Sequence, residues 1–138
     1  GEVNMRARIL IVDDDADLTN LVRTILEAED YTVYSVESGE EALGEVRKLR
    51  PDLIILDILL PGIDGYDTCK ILKTDDRTSP IPIIILSIKC SVEDRITGLN
   101  IGADDYITKP FDPGELTARV EAVLRGYGRS PTSMGERS

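Results

Sequence analysis

Four apolar runs of the sequence each end in a polar residue that could take part in chemistry. Asp13 and Asp14 follow "ILIV", Asp57 follows "LIIL", Ser87 follows "IIIL", and Lys109 follows "YIT". A carboxylate carried on a buried strand is costly unless another group compensates it. The positions of these five residues therefore predict polar groups that meet in space and satisfy one another.

The chemistry available to such a set is phosphoryl transfer to a carboxylate. Three acids at one point repel one another unless a hard cation joins them, and oxygen ligands without Cys or His suit Mg²⁺. With the metal in place, Asp57 is a candidate nucleophile, since carboxylates form aspartyl phosphates. Ser87 and Lys109 are then the candidate catalytic groups that hydrogen-bond to and pair with the phosphoryl oxygens.

Composition narrows the function further. The 138 residues contain no histidine, which excludes imidazole bases, Ser-His and Cys-His nucleophiles and histidine metal ligands. The formal net charge of −10 argues against direct nucleic-acid binding by this segment. Cys69 and Cys90 are too few and too isolated for a disulfide framework, and we interpret both as small apolar fillers. No apolar run reaches the roughly 18 residues that span a bilayer, so we predict a cytoplasmic protein with no membrane contact.

The elements that must position these residues alternate along the chain. Five short apolar segments with strand character are each followed by a segment with helical periodicity, which predicts an α/β fold: a doubly wound parallel sheet with five helices on its two faces. Because the carboxyl ends of parallel strands share one edge, the five polar residues converge there. The predicted strands are Ile9–Val12, Thr32–Val36, Leu53–Leu56, Ile83–Leu86 and Asp105–Thr108.

Local signals mark the helix ends. Ser38 with Glu41 predicts a capping box, and Asp112 before Pro113 predicts the N-cap of the last helix. The helix predicted over 91–101 is weakened by Gly98, which costs up to ~1 kcal/mol relative to alanine. We predict one domain over residues 8–125, a disordered or expression-derived extension over 1–7, and a linker or flexible tail over 126–138.

The sequence resembles the receiver domain of two-component response regulators from about Arg8 to Arg125. The segments that carry the resemblance are "ILIVDDD", "LIILDILLPGIDGYD", "IPIIILSIK" and "GADDYITKPFDPGEL". The resemblance implies a flavodoxin-like sheet of strand order 2-1-3-4-5. It also implies a phosphorelay switch that receives its phosphoryl group from a histidine kinase or a histidine phosphotransfer protein, and that turns over no substrate beyond its own phosphoryl group.

Residue roles follow from the same resemblance. Asp57 corresponds to the phosphoacceptor, Ser87 to the switch hydroxyl and Tyr106 to the switch aromatic. Lys109 corresponds to the phosphoryl-pairing lysine and precedes a cis Pro110. Phosphorylation is expected to shift the region 91–109. The implied metal ligands are Asp13, Asp14, Asp57 and the backbone carbonyl of Leu59.

The last matching segment also resembles the subfamily that dimerises through the fourth helix, fifth strand and fifth helix. That resemblance pairs Arg95 with Glu115 and Asp105 with Arg119, either across or along that face. One position departs from the family: the residue after the switch hydroxyl is usually small, and here it is Ile88.

Other interpretations remain open at this point. Each polar residue alone has a plainer one, since an acid after a strand is commonly a helix cap; their coincidence at four strand ends favours function. A haloacid-dehalogenase-type phosphatase also uses an Asp nucleophile, but it carries a second acid where this chain has Leu59, which cannot transfer a proton. A receiver-like module that binds partners without phosphorylation is a further alternative, which Ile88 alone favours.

Overall fold

A five-stranded parallel sheet forms the centre of the protein. The computed structural model describes residues 6–128, and within them the strand order is β2-β1-β3-β4-β5. The prediction of a doubly wound, flavodoxin-like sheet is therefore confirmed. The strands are β1 (Arg8–Val12), β2 (Thr32–Val36), β3 (Leu53–Leu56), β4 (Ile83–Ser87) and β5 (Asp105–Thr108).

Five helices connect and cover the strands. Asp15, Ser38, Asp64 and Ser91 lie at N-cap positions, where each side chain accepts a backbone N–H of the first turn. The helices are α1 (Ala16–Glu27), α2 (Gly39–Leu49), α3 (Gly65–Thr74), α4 (Val92–Asn100) and α5 (Pro113–Gly128).

The capping box predicted at the start of α2 is incomplete, and a complete one lies at the start of α4. The Ser38 hydroxyl accepts the N–H of Glu41 as expected, but the Glu41 carboxylate accepts the N–H of Glu37 instead of that of Ser38. A reciprocal capping box forms at the start of α4, between Ser91 and Asp94. It supports the helix that Gly98 was expected to weaken.

Successive side chains along each strand point to opposite faces of the sheet, and this produces two apolar layers. Ile9 and Ile11 of β1 face α1 and α5, whereas Leu10 and Val12 face α2 and α3. Every residue of β3 and β4 is buried, as expected for strands covered on both faces. Leu21, although it lies at helical spacing with the buried face of α1, is 50% exposed.

Described residues just outside the predicted range of 8–125 take part in the fold. The guanidinium of Arg6 stacks 4.5 Å from the centre of the Tyr31 ring and donates to its hydroxyl. At the other end, α5 continues to Gly128 and overlaps the first three residues of the predicted linker. Residues 1–5 and 129–138, which hold most of the predicted extension and tail, lie outside the described residues. Between residues 6 and 128, no helix combines the length and apolar character that a membrane crossing requires.

Candidate functional site

Backbone pairing brings the predicted residues to one edge of the sheet. The N–H of Asp57 donates to Val12 at the end of β1, and the N–H of Lys109 donates to Ser87 at the end of β4. The hydrogen-bond ladder of the sheet thus continues one residue past β3 and β5. It fixes the backbone positions from which the side chains of Asp57 and Lys109 extend. The peptide bond between Lys109 and Pro110 is cis.

The Lys109 ammonium joins two of the acids. Its Nζ donates to Oδ2 of Asp13 at 2.9 Å and to Oδ2 of Asp57 at 3.1 Å. The three side chains are 14%, 4% and 8% exposed, in the order Lys109, Asp13, Asp57. Breaking one member of such a buried ion pair leaves an uncompensated charge, so each of the three groups depends on the others.

The second oxygen of each acid is also oriented. Oδ1 of Asp13 accepts the N–H of Asp15 at 2.9 Å, and Oδ1 of Asp57 accepts the N–H of Leu59 at 3.0 Å. Burial raises the pKa of Asp13, while the Asp15 N–H and Lys109 oppose that rise. Burial alone would lower the pKa of Lys109, but its ion pairs with both acids outweigh burial and raise it. The lysine is therefore held as a cation.

The same edge offers a set of donors that suits a hard cation. Carboxylate oxygens of Asp13, Asp14 and Asp57 all lie within 4.8 Å of one another. Asp14 is exposed and the other two are buried, so the cluster opens towards solvent at one acid. An oxygen-only cluster with one wet side fits Mg²⁺, which keeps part of its water shell.

The two predicted switch residues hold the same backbone segment. The hydroxyl of Ser87, which is fully buried, accepts the N–H of Lys89 at 3.3 Å. The hydroxyl of Tyr106 donates to the carbonyl of Lys89 at 2.6 Å. The N–H and the carbonyl of Lys89 are thereby tied to the last residue of β4 and to the second residue of β5. The connection from β4 to α4 thus depends on where these two side chains sit.

Comparison with known proteins agrees with this arrangement. The family model of the response regulator receiver domain matches residues 9–121. The chain belongs to that family. It is 47% identical over 130 residues to the DNA-binding response regulator MtrA of Mycolicibacterium paratuberculosis, a match that covers 94% of this chain and 56% of the relative.

Solved structures show the same fold. A putative response regulator from Chloroflexus aurantiacus J-10-fl matches with a TM-score of 0.85 and 40% identity, covering 88% of this chain and 99% of the other. The signal receiver domain of a histidine kinase from Syntrophus aciditrophicus matches with a TM-score of 0.84 and 38% identity, covering 91% and 95%. This receiver domain spans little more than half the length of the curated relatives it matches.

Two further residues, which the sequence patterns did not indicate, shape this receiver site. Gly65, the first residue of α3, packs on the backbone of Asp57 and Ile58 and donates its N–H to the Ile58 carbonyl at 2.8 Å. Glu40, in the first turn of α2, accepts the N–H of Ile63 at 3.1 Å and so holds the β3–α3 loop. For Gly65, the available sequence signal was a glycine directly after the Asp64 cap. The contact of Glu40 with the β3–α3 loop can be recognised only in the folded structure.

Residues of the predicted dimer face pair within one chain, and Asp105 with Arg119 is one of these pairs. Arg119 donates to both oxygens of Asp105, at 3.0 and 2.9 Å, and to Glu115 at 3.0 Å. Thus Arg119 binds the acid that the resemblance assigned to Arg95, which lies exposed on α4. The pairing of Arg95 with Glu115 stays a prediction about a dimer. Ile88 is 61% exposed, so its side chain lies at the surface beside the site.

Proposed function

We propose that Asp57 accepts a phosphoryl group from the phosphohistidine of a histidine kinase or histidine phosphotransfer protein. The observation that carries the proposal is the largely buried ammonium of Lys109 between Asp13 and Asp57. A lysine held there offsets the repulsion between the acids, and it can pair with a phosphoryl oxygen as that group arrives. The family membership supports the same role for Asp57.

The proposed transfer forms one bond to phosphorus and breaks one, and its bond changes involve only Asp57 and the donor histidine. One Oδ of Asp57 forms the new bond to phosphorus while the bond from phosphorus to the donor ring nitrogen breaks. The imidazole leaves with that electron pair and with a proton already on its other nitrogen. Lys109 would pair with one of the incoming phosphoryl oxygens, and Ser87 would donate a hydrogen bond from its hydroxyl to another.

A divalent cation completes this site in the proposal. Asp13, Asp14 and Asp57, with the backbone carbonyl of Leu59, are the residues that would hold Mg²⁺. When bound, Mg²⁺ supplies positive charge to the phosphoryl oxygens. The fit rests on the clustered carboxylate oxygens and their partly solvated position.

The proposed output is a shift in the region 91–109. Ser87 and Tyr106 both hold Lys89, so recruiting Ser87 to a phosphoryl oxygen would release one of the two contacts on that segment. The phosphoryl group then favours whichever arrangement of α4 it binds better. We propose that this rearrangement acts in the cytoplasm and changes the partner-binding face.

That face is proposed to mediate a homodimer through α4, β5 and α5. Four apolar side chains of this part of the chain are 48–68% exposed: Ile88, Val92, Ile96 and Leu99. Arg95, Asp105, Glu115 and Arg119 would set the register of the two copies, because exposed ion pairs add ~1 kcal/mol or less each. Nucleic-acid binding is not proposed for this acidic segment.

We do not assign turnover of an external substrate. Leu59 occupies the position where a haloacid-dehalogenase-type phosphatase needs its second acid, and its side chain is 46% exposed. A phosphorylation-independent binding module has no need of the ion pair from Lys109 to two buried acids. The domain is therefore proposed to catalyse only its own phosphorylation and dephosphorylation.

Intact mass measurement after incubation with Mg²⁺ and acetyl phosphate tests the proposal. Wild-type protein should gain one phosphoryl group, and EDTA or Asp57→Asn should abolish the gain. Asp67→Asn, which changes an exposed acid on α3, should leave it intact. No adduct on the wild type, or an adduct that survives Asp57→Asn, would contradict the assignment.

A further inference from the structure

Tyr66 connects the first turns of two helices. It follows Gly65 at the start of α3, and its half-buried side chain reaches α4, where the hydroxyl donates to the backbone carbonyl of Asp94 at 3.3 Å. Gly65 meanwhile packs on the backbone carbonyl of Asp57. Two consecutive residues of α3 therefore contact the acceptor position on one side and α4 on the other.

The hydroxyls of Tyr66 and Tyr106 both bond to the segment from Lys89 to Asp94. Burial raises the pKa of both phenols, and in each case the charge of Asp94 adds to the rise. Both hydroxyls therefore remain protonated donors. Tyr106 donates to Lys89 and Tyr66 donates to Asp94, and the side chains of Lys89 and Asp94 form a 3.5 Å ion pair.

The ring of Tyr106 lies in a closely bounded site. A Cβ at Gly98 would lie 3.0 Å from Cδ2 and 3.1 Å from Cε2 of that ring, and 2.7 Å from Cδ1 of Ile85. The backbone of α4 at Gly98 thus lies directly against the ring of Tyr106. The side chain of Tyr106 is buried, and this inward position requires α4 to stay close to the sheet. The hydrogen bond from Tyr66 to Asp94 holds α4 in the same place.

From these contacts we infer that Tyr66 is a positioning residue that holds Tyr106 inward and couples occupancy of Asp57 to the placement of α4. The inference rests on the proposed phosphoacceptor function. It adds a third hydroxyl, on α3, to the pair of switch residues that the family resemblance supplies. Because coupling between sites is reciprocal, a contact that favours the inward state also tightens binding of a phosphoryl group at Asp57. Losing one such hydrogen bond shifts an equilibrium about two- to tenfold.

A double-mutant cycle on ligand affinity tests this coupling. Beryllofluoride, which mimics a phosphoryl group, is titrated in Mg²⁺ onto wild type, Tyr66→Phe, Tyr106→Phe and the double variant, and binding is followed by amide NMR signals of residues 57–65. Tyr66→Phe should weaken binding about two- to tenfold in the wild-type background. In the Tyr106→Phe background the same change should alter affinity by less than about twofold. Tyr34→Phe, at an exposed tyrosine on β2, is the matched control and should leave affinity unchanged.

The outcomes separate the inference from the function on which it depends. A loss of equal size in both Tyr106 backgrounds would overturn the coupling, because Tyr66 would then act without Tyr106. No loss in Tyr66→Phe would also overturn it. Failure of wild-type protein to bind beryllofluoride at all would instead overturn the proposed function. Urea unfolding of each variant shows whether affinity tracks global stability, which a purely structural role for Tyr66 would require.

Discussion

Gly65 lies against the backbone of Asp57 so closely that no side chain fits between them. A Cβ at position 65 would overlap the Asp57 carbonyl oxygen and come within 2.5 Å of Cα of Ile58. Both neighbours are backbone atoms at the end of a fully buried strand, so neither can move aside cheaply. The first turn of α3 therefore fixes the position from which the Asp57 side chain extends.

Gly65→Ala should destabilise the protein, because the added methyl group must displace α3 from β3. We expect a loss of about 1–3 kcal/mol in the free energy of unfolding, measured by urea denaturation. Gly44→Ala is the matched control: Gly44 lies in the interior of α2, and no neighbouring group lies within 4 Å of the place that a methyl group would take. This change should stabilise by about 0.5–1 kcal/mol. Equal effects of the two substitutions would contradict the packing described for Gly65.

Lys73 should contribute strongly to stability from a position far from the site. Its Nζ donates to the carbonyls of Ser79 and Ile81 and forms a 3.5 Å ion pair with Asp104, whose carboxylate accepts the N–H of Ile83. Its side chain is 11% exposed. Lys73→Met leaves these acceptors without their charged donor, and we expect a loss of roughly 3 kcal/mol.

Lys70→Met provides the control for that measurement. Lys70 lies on the same helix with its side chain exposed, so its replacement should change the free energy of unfolding by less than about 0.5 kcal/mol. Urea denaturation of both variants under identical conditions gives the comparison. A small effect of Lys73→Met would show that the contacts from α3 to the 79–81 segment and Asp104 add little.

The two cysteines should react very differently with thiol reagents. Burial raises the pKa of Cys69 to about 11, whereas Cys90 is exposed. At about pH 8, Ellman's reagent should therefore modify one thiol in the native protein and two in denaturant. Native Cys90→Ser should show none, and rapid modification of Cys69 in that variant would contradict its burial.

Dimerisation should depend on the apolar face of α4. Ile96 is 51% exposed on α4, and Ile71 is 44% exposed on α3. In Mg²⁺ and beryllofluoride we expect sedimentation velocity to show dimers for wild type and for Ile71→Glu. Ile96→Glu should remain monomeric, because it places a charge where apolar surface would be buried. Dimers of Ile96→Glu would place the interface elsewhere.

The sheet and its polar edge could be predicted because both follow from local pattern. Strands that are apolar throughout, with no alternation of apolar and polar residues, must be covered on both faces. Parallel strands bring their carboxyl ends to the same edge of the sheet. Asp13, Asp57 and Lys109 then had to lie near one another, and the structure places them in one hydrogen-bonded group. The cis bond before Pro110, which the family resemblance implied, is also present.

What the sequence did not predict depends on contacts between distant elements. Gly98 was interpreted as a weak point of α4, yet its missing side chain makes room for the Tyr106 ring. Cys90 was interpreted as a small apolar filler, but it lies exposed in the β4–α4 connection and fills no core position. Neither fact leaves a periodic signal in the chain. The pair of Glu115 and Arg119 differs, because its i,i+4 spacing on α5 is a signal that the sequence does carry.

The central claim is that Asp57 is the residue that carries the phosphoryl group. Borohydride reduction of the acetyl phosphate-treated protein converts an aspartyl phosphate to homoserine, and peptide mass spectrometry then locates it. We predict homoserine at position 57 in the wild type, and none when EDTA is present during the incubation with acetyl phosphate. Homoserine at Asp13 or Asp14, or a borohydride-resistant phosphoryl group on Ser87, would contradict the account.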